Sequence, residues 1–338
     1  MKAAYVKVPF QVDVREVPAP VAGPDEVLVR VKACGICGTD LHFARDQAKE
    51  EPVPLGHEFT GVVEATGSNV SDIAPGTAVI VENHTFCGVC DACKNGEPVF
   101  CTNLYVVMKE PCLAELVKAH RRCLHPYEGL TPEQAALAEP LTVALDLVEE
   151  GGIPLGSEVA VLGPGTIGLM AVRLAKEKGA RRVFLAGRSH SKARLMLGRR
   201  LGADRVVETD REDLAAAVKR IVPRGLDRVF VTSPPKTIPE AFGIARFGGV
   251  VVFNGIDFEN PSISFDANEF HFKRLQLKAT HSIPNLRFPI AIDLLKRKAV
   301  DPDLFITHRF GFGELSRALE TAERDKEGAV KVMVTMEG

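Results

Sequence analysis

Half of the eight cysteines in this chain lie in one short segment, at Cys87, Cys90, Cys93 and Cys101. Their spacing, C-x2-C-x2-C-x7-C, puts four thiolates on a single loop, and four thiolates can surround a Zn²⁺ ion tetrahedrally. The rest of the loop is polar and rich in turn-forming residues, so a metal ion, and not an apolar core, must hold its shape. Two disulfide bonds are the alternative, which a reducing compartment disfavours. The segment therefore predicts a structural zinc site.

A second set of potential metal ligands precedes that loop. Cys37 and His57 offer one thiolate and one imidazole, a combination typical of catalytic zinc sites, which keep one coordination position open. No cysteine follows Cys123, so the third ligand cannot be a cysteine from later in the chain. Glu58 and Glu139 are the available carboxylates. The residues predict a catalytic metal site and leave the choice between these two acids open.

The cysteine motif around Cys37 and the histidine His57 each have a simpler interpretation. Cys34 and Cys37 form a C-x-x-C motif, which can be a redox pair. Their strand-to-loop setting, in place of a helix start, argues against it. His57 alone would be interpreted as a hydrogen-bonded core histidine. The adjacent Glu58 and the neighbouring glycines favour a metal ligand instead.

A glycine-rich turn indicates a dinucleotide site. The motif G-x-G-x-x-G comprises Gly163, Gly165 and Gly168, with Thr166 and Ile167 at the start of the following helix. It comes directly after a strand, which is the context that gives the motif its meaning. The first glycine permits the turn, the second lets a pyrophosphate approach the backbone, and the third lets helix and strand pack closely. The alternative is a plain turn that binds no ligand.

The end of the next strand bears on the choice of cofactor. An Asp or Glu is expected there if the cofactor is NAD, but this chain has Gly187-Arg188-Ser189. A missing carboxylate removes repulsion against a 2′-phosphate, and an arginine can pair with one. The sequence therefore favours NADP over NAD. If Arg188 merely stacks on adenine or faces solvent, NAD remains the cofactor.

Two kinds of element must position these residues. As far as about Cys123 the chain consists of short strands separated by Gly and Pro, which is typical of a partly open β-barrel. From Glu158 strands and helices alternate, which predicts a doubly wound parallel sheet. The segments after Pro284 are expected to return to the first domain. We predict an α/β protein with a zinc-binding domain at 1–146 and 287–338 and a dinucleotide-binding domain at 147–286.

The composition excludes several classes of function. The chain has 46% apolar and 25% charged residues and a net charge of -2, as an ordinary globular protein does. Its charges form no basic patch for nucleic acid or an anionic membrane. We find no export signal and no apolar segment long enough to span a membrane. We therefore expect a cytoplasmic protein that acts on a small molecule, with no nucleic-acid or membrane partner.

The motifs taken together resemble the zinc-dependent medium-chain dehydrogenase/reductase family. The resemblance rests on C-G-x-C-G-T-D-x-H at 34–42, G-H-E-F-x-G at 56–61, the four-cysteine loop, E-P-L at 139–141 and the glycine turn. The E-P-L segment, with Thr39 and His42, is most similar to the polyol, sugar and threonine dehydrogenase branch. The family implies a GroES-like barrel next to a Rossmann domain.

The same resemblance implies roles for individual residues. Cys37, His57 and Glu139 would hold the catalytic zinc, with Glu58 as an exchangeable carboxylate, and the four-cysteine loop would hold a structural zinc. For the chemistry itself, we expect Thr39 to take the proton of the substrate hydroxyl, and the cofactor ribose and His42 to pass it to solvent, since imidazole relays protons near neutral pH. The alternative for His42 is an ordinary residue on a helix surface.

The predicted activity is hydride transfer between a secondary alcohol and NAD(P), giving the ketone. The alcohol would be a polyol, a sugar or an amino-alcohol derivative. An aldehyde or primary-alcohol dehydrogenase on the same fold, and a non-catalytic nucleotide-sensing protein, are the alternatives. Loop position adds candidates for the substrate pocket: Phe43, Arg45, Lys109, Glu110 and His281.

An oligomer is also expected. The segment 275–280 alternates like an edge strand, which can pair across a two-fold axis. We therefore predict a homodimer or homotetramer. The sequence leaves the substrate, the direction of the reaction and the number of subunits open.

Overall fold

A computed structural model of the chain describes residues 1–7, 9–46 and 52–336. The chain divides into two compact units: unit 1 comprises the ranges 1–142 and 282–325 and the residues from 331 onwards, and unit 2 comprises 143–281 and 326–330. The sequence places the boundaries slightly later, after 146 and 286. It also assigns the short segment 326–330 to the first domain, whereas in the structure this segment belongs to unit 2.

The regular elements follow one another along the chain in the order in which they are numbered here. The strands are β1 (Lys2–Lys7), β2 (Gln11–Glu16), β3 (Glu26–Gly35), β4 (Val53–Pro54), β5 (Glu58–Thr66), β6 (Ala78–Val81), β7 (His84–Thr85), β8 (Tyr105–Val106), β9 (Leu116–His120), β10 (Leu124–Pro126), β11 (Glu158–Leu162), β12 (Arg182–Gly187), β13 (Arg205–Glu208), β14 (Leu226–Val231), β15 (Ala245–Phe253), β16 (Gln276–Ala279), β17 (Ile306–Gly311) and β18 (Lys331–Thr335). The α-helices are α1 (Gly38–Asp46), α2 (Asp91–Lys94), α3 (Pro132–Ala136), α4 (Ala138–Gly151), α5 (Thr166–Glu177), α6 (Lys192–Arg200), α7 (Leu214–Ile221), α8 (Ile238–Ile244), α9 (Ala267–Phe272), α10 (Phe288–Lys296) and α11 (Leu315–Arg324).

Unit 1 is built around strand β3. Its apolar residues alternate, so that Val27, Val29 and Val31 are buried, as expected for a strand with one face on a core. β3 lies in the sheet β10-β6-β5-β3-β18-β17, and β9 also pairs with it; a second sheet has the order β2-β1-β4. Gly35, at the end of β3, is in register with Glu58 at the start of β5 and with Met333 of β18. This register brings three distant parts of the sequence to one place.

Unit 2 contains the predicted parallel sheet. Its strands have the order β13-β12-β11-β14-β15-β16, and all of the pairs are parallel. Every residue of β11 is buried, as expected for a strand covered on both faces. The strand order reverses at β11, and ligands of such sheets bind at the carboxyl ends of the strands beside this reversal. β16 lies at one edge of the sheet, where the sequence predicts an edge strand.

The segment 326–330 is attached to unit 2 by three hydrogen bonds. The Thr166 hydroxyl donates to the Val330 carbonyl at 3.1 Å, and the Arg194 guanidinium donates to the Ala329 carbonyl at 2.7 Å. The Ala193 amide donates to the Glu327 carbonyl at 3.1 Å. Thr166, Ala193 and Arg194 lie on α5 and α6, so the segment is held against these two helices.

The predicted helix start at Thr131 is present as a capping box. The Thr131 hydroxyl accepts from the Gln134 amide, and the Gln134 side chain accepts from the Thr131 amide. Within the described ranges, no helix combines the length and the apolar character that crossing a membrane requires.

Candidate metal centres and dinucleotide site

The four cysteines of the loop at 87–101 converge on one point. The sulfur of Cys90 lies 3.5 Å from that of Cys93 and 3.8 Å from that of Cys101, and the sulfurs of Cys87 and Cys101 are 3.6 Å apart. Ligands at about 2.3 Å from a tetrahedral zinc lie roughly 3.8 Å from one another. All eight cysteines are free, and these separations are far longer than a disulfide bond. The loop therefore has the geometry of a zinc site, and the disulfide alternative finds no support.

Backbone amides in this loop donate hydrogen bonds to the cysteine sulfurs, which stabilises their thiolate forms. The amides of Val89 and Cys90 donate to the sulfur of Cys87, and the amide of Cys87 donates to the sulfur of Cys101. Hydrogen bonds of this kind, led by one from the backbone of Cys93, lower the pKa of Cys90 to about 6. Desolvation raises the pKa of Cys93 to about 12. The four sulfurs are thus not equivalent before a metal binds.

The second group of potential ligands consists of Cys37, His57 and Glu58. One ligand atom from each lies within 4.8 Å of the other two. Cys37 immediately precedes α1, His57 immediately precedes β5, and Glu58 begins that strand. The convergence follows from the pairing of β3 with β5, because the chain leaves one strand and enters the other at the same end of the sheet. Thiolate, imidazole and carboxylate form a donor set suited to zinc.

Asp40, which the sequence argument missed, orders this group. Its carboxylate is buried and accepts from the amide of Cys37 at 2.8 Å and from the amide of Gly56 at 3.1 Å. The same carboxylate lies 3.6 Å from Nδ1 of His57. Burial opposes its ionisation, but His57 and these amides lower its pKa below the ordinary value. An acid close to one ring nitrogen of a metal-binding histidine can orient the ring. The signal in the sequence was the position of Asp40, three residues after Cys37.

Burial and charge act in opposite directions on His57. Burial alone would lower the pKa of this imidazole, but Cys37 and Asp40 raise it well above the ordinary value. The surroundings of His57 therefore favour a positive charge at this position.

Lys331 is the second residue that the sequence argument missed. Its ammonium group lies 2.5 Å from Oε2 of Glu58 and donates to the Ile36 carbonyl at 3.1 Å. Both side chains of the ion pair are almost fully buried, with 3% and 2% exposed. A Cβ at Gly35 would lie 2.2 Å from the same Oε2, so the glycine makes room for the carboxylate. Burial opposes the charge of Lys331, yet Glu58 raises the net pKa of this lysine.

Glu139 interacts electrostatically with Glu58 but does not belong to the group of Cys37, His57 and Glu58. Its Oε1 accepts a hydrogen bond from the side-chain amide of Asn83 at 3.1 Å. Burial, followed by repulsion from Glu58, raises its pKa to about 7. Among the described residues, the carboxylate that lies with Cys37 and His57 is that of Glu58. The predicted ligand role of Glu139 stays a prediction.

Thr39 and His42 both lie on α1. Oγ1 of Thr39 is 3.8 Å from the sulfur of Cys37, so the hydroxyl borders the candidate metal site. His42 follows three positions later, on the same helix face, and is half-buried. Of the residues named for a substrate pocket, Arg45 forms a salt bridge with Glu323 at 2.7 Å.

The structure argues against a redox role for Cys34 and Cys37, but not for the reason that the sequence suggests. The sequence places Cys37 away from a helix start, but α1 begins at the next residue. Cys34 is instead fully buried, and burial raises the pKa of its thiol well above the ordinary value. A buried thiol of this kind is inert.

The glycine turn has the predicted strand-turn-helix setting. Gly163 has a φ of +108°, a conformation that glycine adopts readily. A Cβ at Gly168 would lie 2.0 Å from the Gly163 carbonyl oxygen, whereas nothing lies within 4 Å of a Cβ at Gly165. Gly165 is the N-cap of α5 and has no side-chain partner for the first helical amides. The space above Gly165 and those amides suits an anion.

A cavity of about 360 Å³ opens beside this turn. Its lining includes Gly163, Pro164, Arg188, His190, Thr209 and Lys236. A carboxylate that the sequence argument missed lies nearby: Asp210 accepts from the amide of Ser189 at 2.7 Å and from its hydroxyl at 2.6 Å. These bonds lower the pKa of Asp210 to about 2, with a smaller contribution from Arg188. The cavity thus has a cationic side chain and an anionic neighbour at the end of β12.

Two family models match most of the chain. Residues 23–129 match the alcohol dehydrogenase GroES-like domain, and residues 166–297 match the domain described as zinc-binding dehydrogenase. The chain is 32% identical over 324 residues to the D-arabitol-phosphate dehydrogenase of Enterococcus avium, with 93% of this chain and 91% of that protein covered. It is 33% identical over 329 residues to the L-threonine 3-dehydrogenase of Bacillus subtilis (strain 168), with 93% of each covered.

Solved structures agree with these matches. A protein from Sinorhizobium meliloti 1021, described as a zinc-binding dehydrogenase and bound to NADP, superposes with a TM-score of 0.89 at 33% identity. The alignment covers 99% of this chain and 98% of that one.

The second and third glycines of the turn give a first prediction. Gly168→Ala should lower the midpoint of thermal unfolding, because its methyl group would collide with the Gly163 carbonyl. Gly165→Ala should leave that midpoint unchanged, because the site is open and its φ of -70° suits alanine. It should still weaken dinucleotide binding, on the order of tenfold, since the methyl group would occupy the approach to the helix amides. Calorimetry and fluorescence titration measure the two quantities, and equal behaviour of both variants would contradict the assignment.

The buried ion pair gives a second prediction. Lys331→Met leaves Glu58 charged and buried without its partner, so we expect chelator-treated protein to lose about 3–5 kcal/mol of stability. The double variant Lys331→Met, Glu58→Gln removes both charges and should recover most of the loss. Thermal unfolding followed by circular dichroism tests this. A double variant no more stable than the single one would show that Lys331 acts through packing and not through its charge.

Proposed function

We propose that this chain, which belongs to the zinc-dependent medium-chain dehydrogenase family, oxidises a polyol-like secondary alcohol to the ketone with NADP. Membership confirms the predicted GroES-like and Rossmann folds and the general activity, hydride transfer between a secondary alcohol and NAD(P). The sensing and primary-alcohol alternatives are not favoured. The observation that carries the proposal is the convergence of the Cys37 thiolate, the His57 imidazole and the Glu58 carboxylate within 4.8 Å.

These three residues would hold a catalytic zinc ion, with Glu139 as the second candidate carboxylate. Three protein ligands leave one coordination position for a substrate. A zinc ion held there would lower the pKa of an alcohol hydroxyl, as it does for water, and an alcohol that has lost this proton releases hydride far more readily. Asp40 fixes the orientation of His57. The loop with Cys87, Cys90, Cys93 and Cys101 would hold a second zinc, with a structural role only.

Thr39 and His42 would move the proton. The hydroxyl of Thr39 lies beside the ligand group and can accept a proton from an alcohol at that position while passing its own onward. His42, on the same helix and half-buried, is placed to receive a proton and release it to water. Both are proposed catalytic residues, and neither would bind the metal.

The substrate class is proposed from the relatives. Two of them are described as acting on D-arabitol phosphate and on L-threonine. These substrates share a secondary hydroxyl next to another polar group. A polyol, its phosphate or an amino alcohol is therefore the proposed substrate class.

The proposed preference for NADP depends on the end of β12. Arg188 lines the cavity beside the glycine turn, and an arginine can pair with a 2′-phosphate. The charge of Asp210, which lies beside Ser189, would act against that phosphate. The preference is thus a balance between one cationic and one anionic side chain.

A homodimer or homotetramer in the cytoplasm is also proposed. β16 forms an edge of the six-stranded sheet. Phe272, shortly before β16 in sequence, is 69% exposed, and Phe247, on the neighbouring strand β15, is 68% exposed. An open edge with exposed aromatic residues favours association with a second copy. Eight free cysteines suit a reducing compartment.

A substrate panel tests the function. Purified protein with zinc should reduce NADP in the presence of polyols, polyol phosphates or amino alcohols, and should leave ethanol unoxidised. Absorbance of the reduced cofactor measures this, and chelation of the metal should abolish it. A panel that is silent with both NADP and NAD would contradict the proposal.

Two variants with opposite changes of charge test the preference for NADP over NAD. Arg188→Leu should raise the KM for NADP and leave the KM for NAD nearly unchanged. Asp210→Asn should lower the KM for NADP, because it removes a negative charge near the expected 2′-phosphate. If neither variant changes the ratio of the two KM values, the assignment of this site to the 2′ position is wrong.

The proton path gives a further prediction. His42→Ala should lower kcat about 100-fold with little change in KM, and added imidazole should restore part of the loss. Thr39→Val should lower kcat without rescue by imidazole, since the missing group is the first proton acceptor. Steady-state kinetics at constant pH measure both effects. Unchanged turnover in His42→Ala would identify His42 as an ordinary helix residue.

A further inference from the structure

The side chain of Asn83 connects Glu139 to the pair of strands from which the four-cysteine loop extends. Asn83 is buried, with only 8% of its surface exposed. Its Nδ2 donates to Oε1 of Glu139 at 3.1 Å, and its Oδ1 lies 3.1 Å from Nδ1 of His84. Both ends of the side-chain amide are therefore engaged. The proposed function gives Asn83 no part, so its contact with a candidate metal ligand requires an explanation.

The chemistry of its two neighbours determines which way this amide points. An ionised carboxylate only accepts hydrogen bonds, so the atom of Asn83 that faces Glu139 is the NH₂ nitrogen. The oxygen then faces His84, and Nδ1 of that ring carries the proton that it donates. The opposite orientation would place the oxygen of Asn83 against an oxygen of Glu139. The side chain is thus held from both sides.

Backbone hydrogen bonds fix the place from which this side chain extends. The carbonyl of Asn83 accepts from the Val107 amide at 2.9 Å, next to the pairing of β7 with β8. The preceding residue, Glu82, donates its amide to the Cys123 carbonyl at 2.7 Å and accepts at Oε1 from the Asn285 amide at 2.9 Å. β7 leads into the four-cysteine loop, and β8 follows it. The base of that loop therefore sets the position of Asn83.

The two candidate carboxylates are held in different ways. Glu58 belongs to the candidate ligand group, and its carboxylate is paired with the buried ammonium of Lys331. Glu139 lies outside that group, although the charges of Glu58 and His57 act on it. Its carboxylate is bound by the neutral amide of Asn83, and such a bond is broken at lower cost than a buried ion pair. The position of Glu139 thus depends on a hydrogen bond that one substitution removes.

We propose that Asn83 is a positioning residue that keeps the carboxylate of Glu139 outside the ligand group of the candidate catalytic metal site. It thereby leaves a coordination position for the substrate, which a fourth protein ligand would occupy. Because the base of the four-cysteine loop carries Asn83, that loop acts on the catalytic site as well as on its own stability. The inference rests on the proposed function, since it requires a catalytic metal ion bound by Cys37, His57 and Glu58.

Asn83→Leu tests this, because it nearly keeps the shape of the side chain and removes the amide. Glu139 then loses its donor and should bind the metal, which lowers the dissociation constant of Zn²⁺ at this site about tenfold. Since the substrate must then displace Glu139, the KM for the alcohol should rise by a similar factor, with little change in kcat. Competition with a chelator measures the zinc affinity, and the site is identified by its loss in Cys37→Ser. Asn83→Ala should behave in the same way and takes the place of Asn83→Leu if that variant does not fold.

Two further variants show whether Asn83 acts through Glu139. In a Glu139→Gln background, Asn83→Leu should change neither the zinc affinity nor the KM further, because a neutral amide is a poor ligand for zinc. Thr85→Val is the matched control in β7, since it removes a buried hydroxyl that bonds to Glu82 and leaves the amide of Asn83 intact. It should lower the midpoint of thermal unfolding without changing the zinc affinity or the KM, which separates a weakened β7 from the loss of the amide.

The outcomes separate this inference from the proposed function. If the wild-type protein has no zinc affinity that depends on Cys37 and oxidises no alcohol, the proposed function fails. If it is active and Asn83→Leu binds zinc more weakly, Asn83 supports Glu139 as a ligand, and the inference is overturned. Unchanged zinc affinity and KM in Asn83→Leu, or the same changes in the Glu139→Gln background, overturn it as well.

Discussion

The concentration of buried negative charge at the end of β3 is the constraint on which unit 1 depends. Asp40 and Glu58 lie near Cys37 in a region with little contact with solvent, Glu139 interacts with them through its charge, and like charges there raise the cost of ionisation. The ammonium of Lys331 offsets part of this charge, and either a positive charge on His57 or a zinc ion bound to its neutral imidazole would offset more. Asp40 has two backbone amides beside it, Glu58 has Lys331, and Glu139 has the side-chain amide of Asn83. Removal of one charged group from such a site leaves another buried charge without its partner, which destabilises the fold more than removal of the whole pair.

Features with local spacing were accessible from the sequence. The four cysteines lie in one short segment, 87–101. The glycine motif is recognised from its own spacing, the strand before it and the helix after it. Asp40 was accessible too, because it lies three residues after Cys37, but its partner His57 is fixed only by the pairing of β3 with β5. Lys331 could not be predicted as a partner of Glu58, since strand register alone brings these distant residues together.

The same distinction holds in unit 2. Alternating strands and helices predict a parallel sheet with right-handed connections, but they do not determine the order of its strands. The carboxylate of Asp210 comes from the loop after β13 and reaches Ser189 beside β12, which no motif indicates.

The assignment of 326–330 to unit 2 has a consequence for how the chain is made. This segment bonds to Thr166, Ala193 and Arg194, yet residues 282–325 of unit 1 separate it in the chain from the rest of unit 2. Unit 2 therefore acquires these bonds only after residues 282–325 have been synthesised, although the strands of its sheet all precede them. Until then α5 and α6 lack these partners, and a polypeptide truncated before residue 326 would lack them permanently.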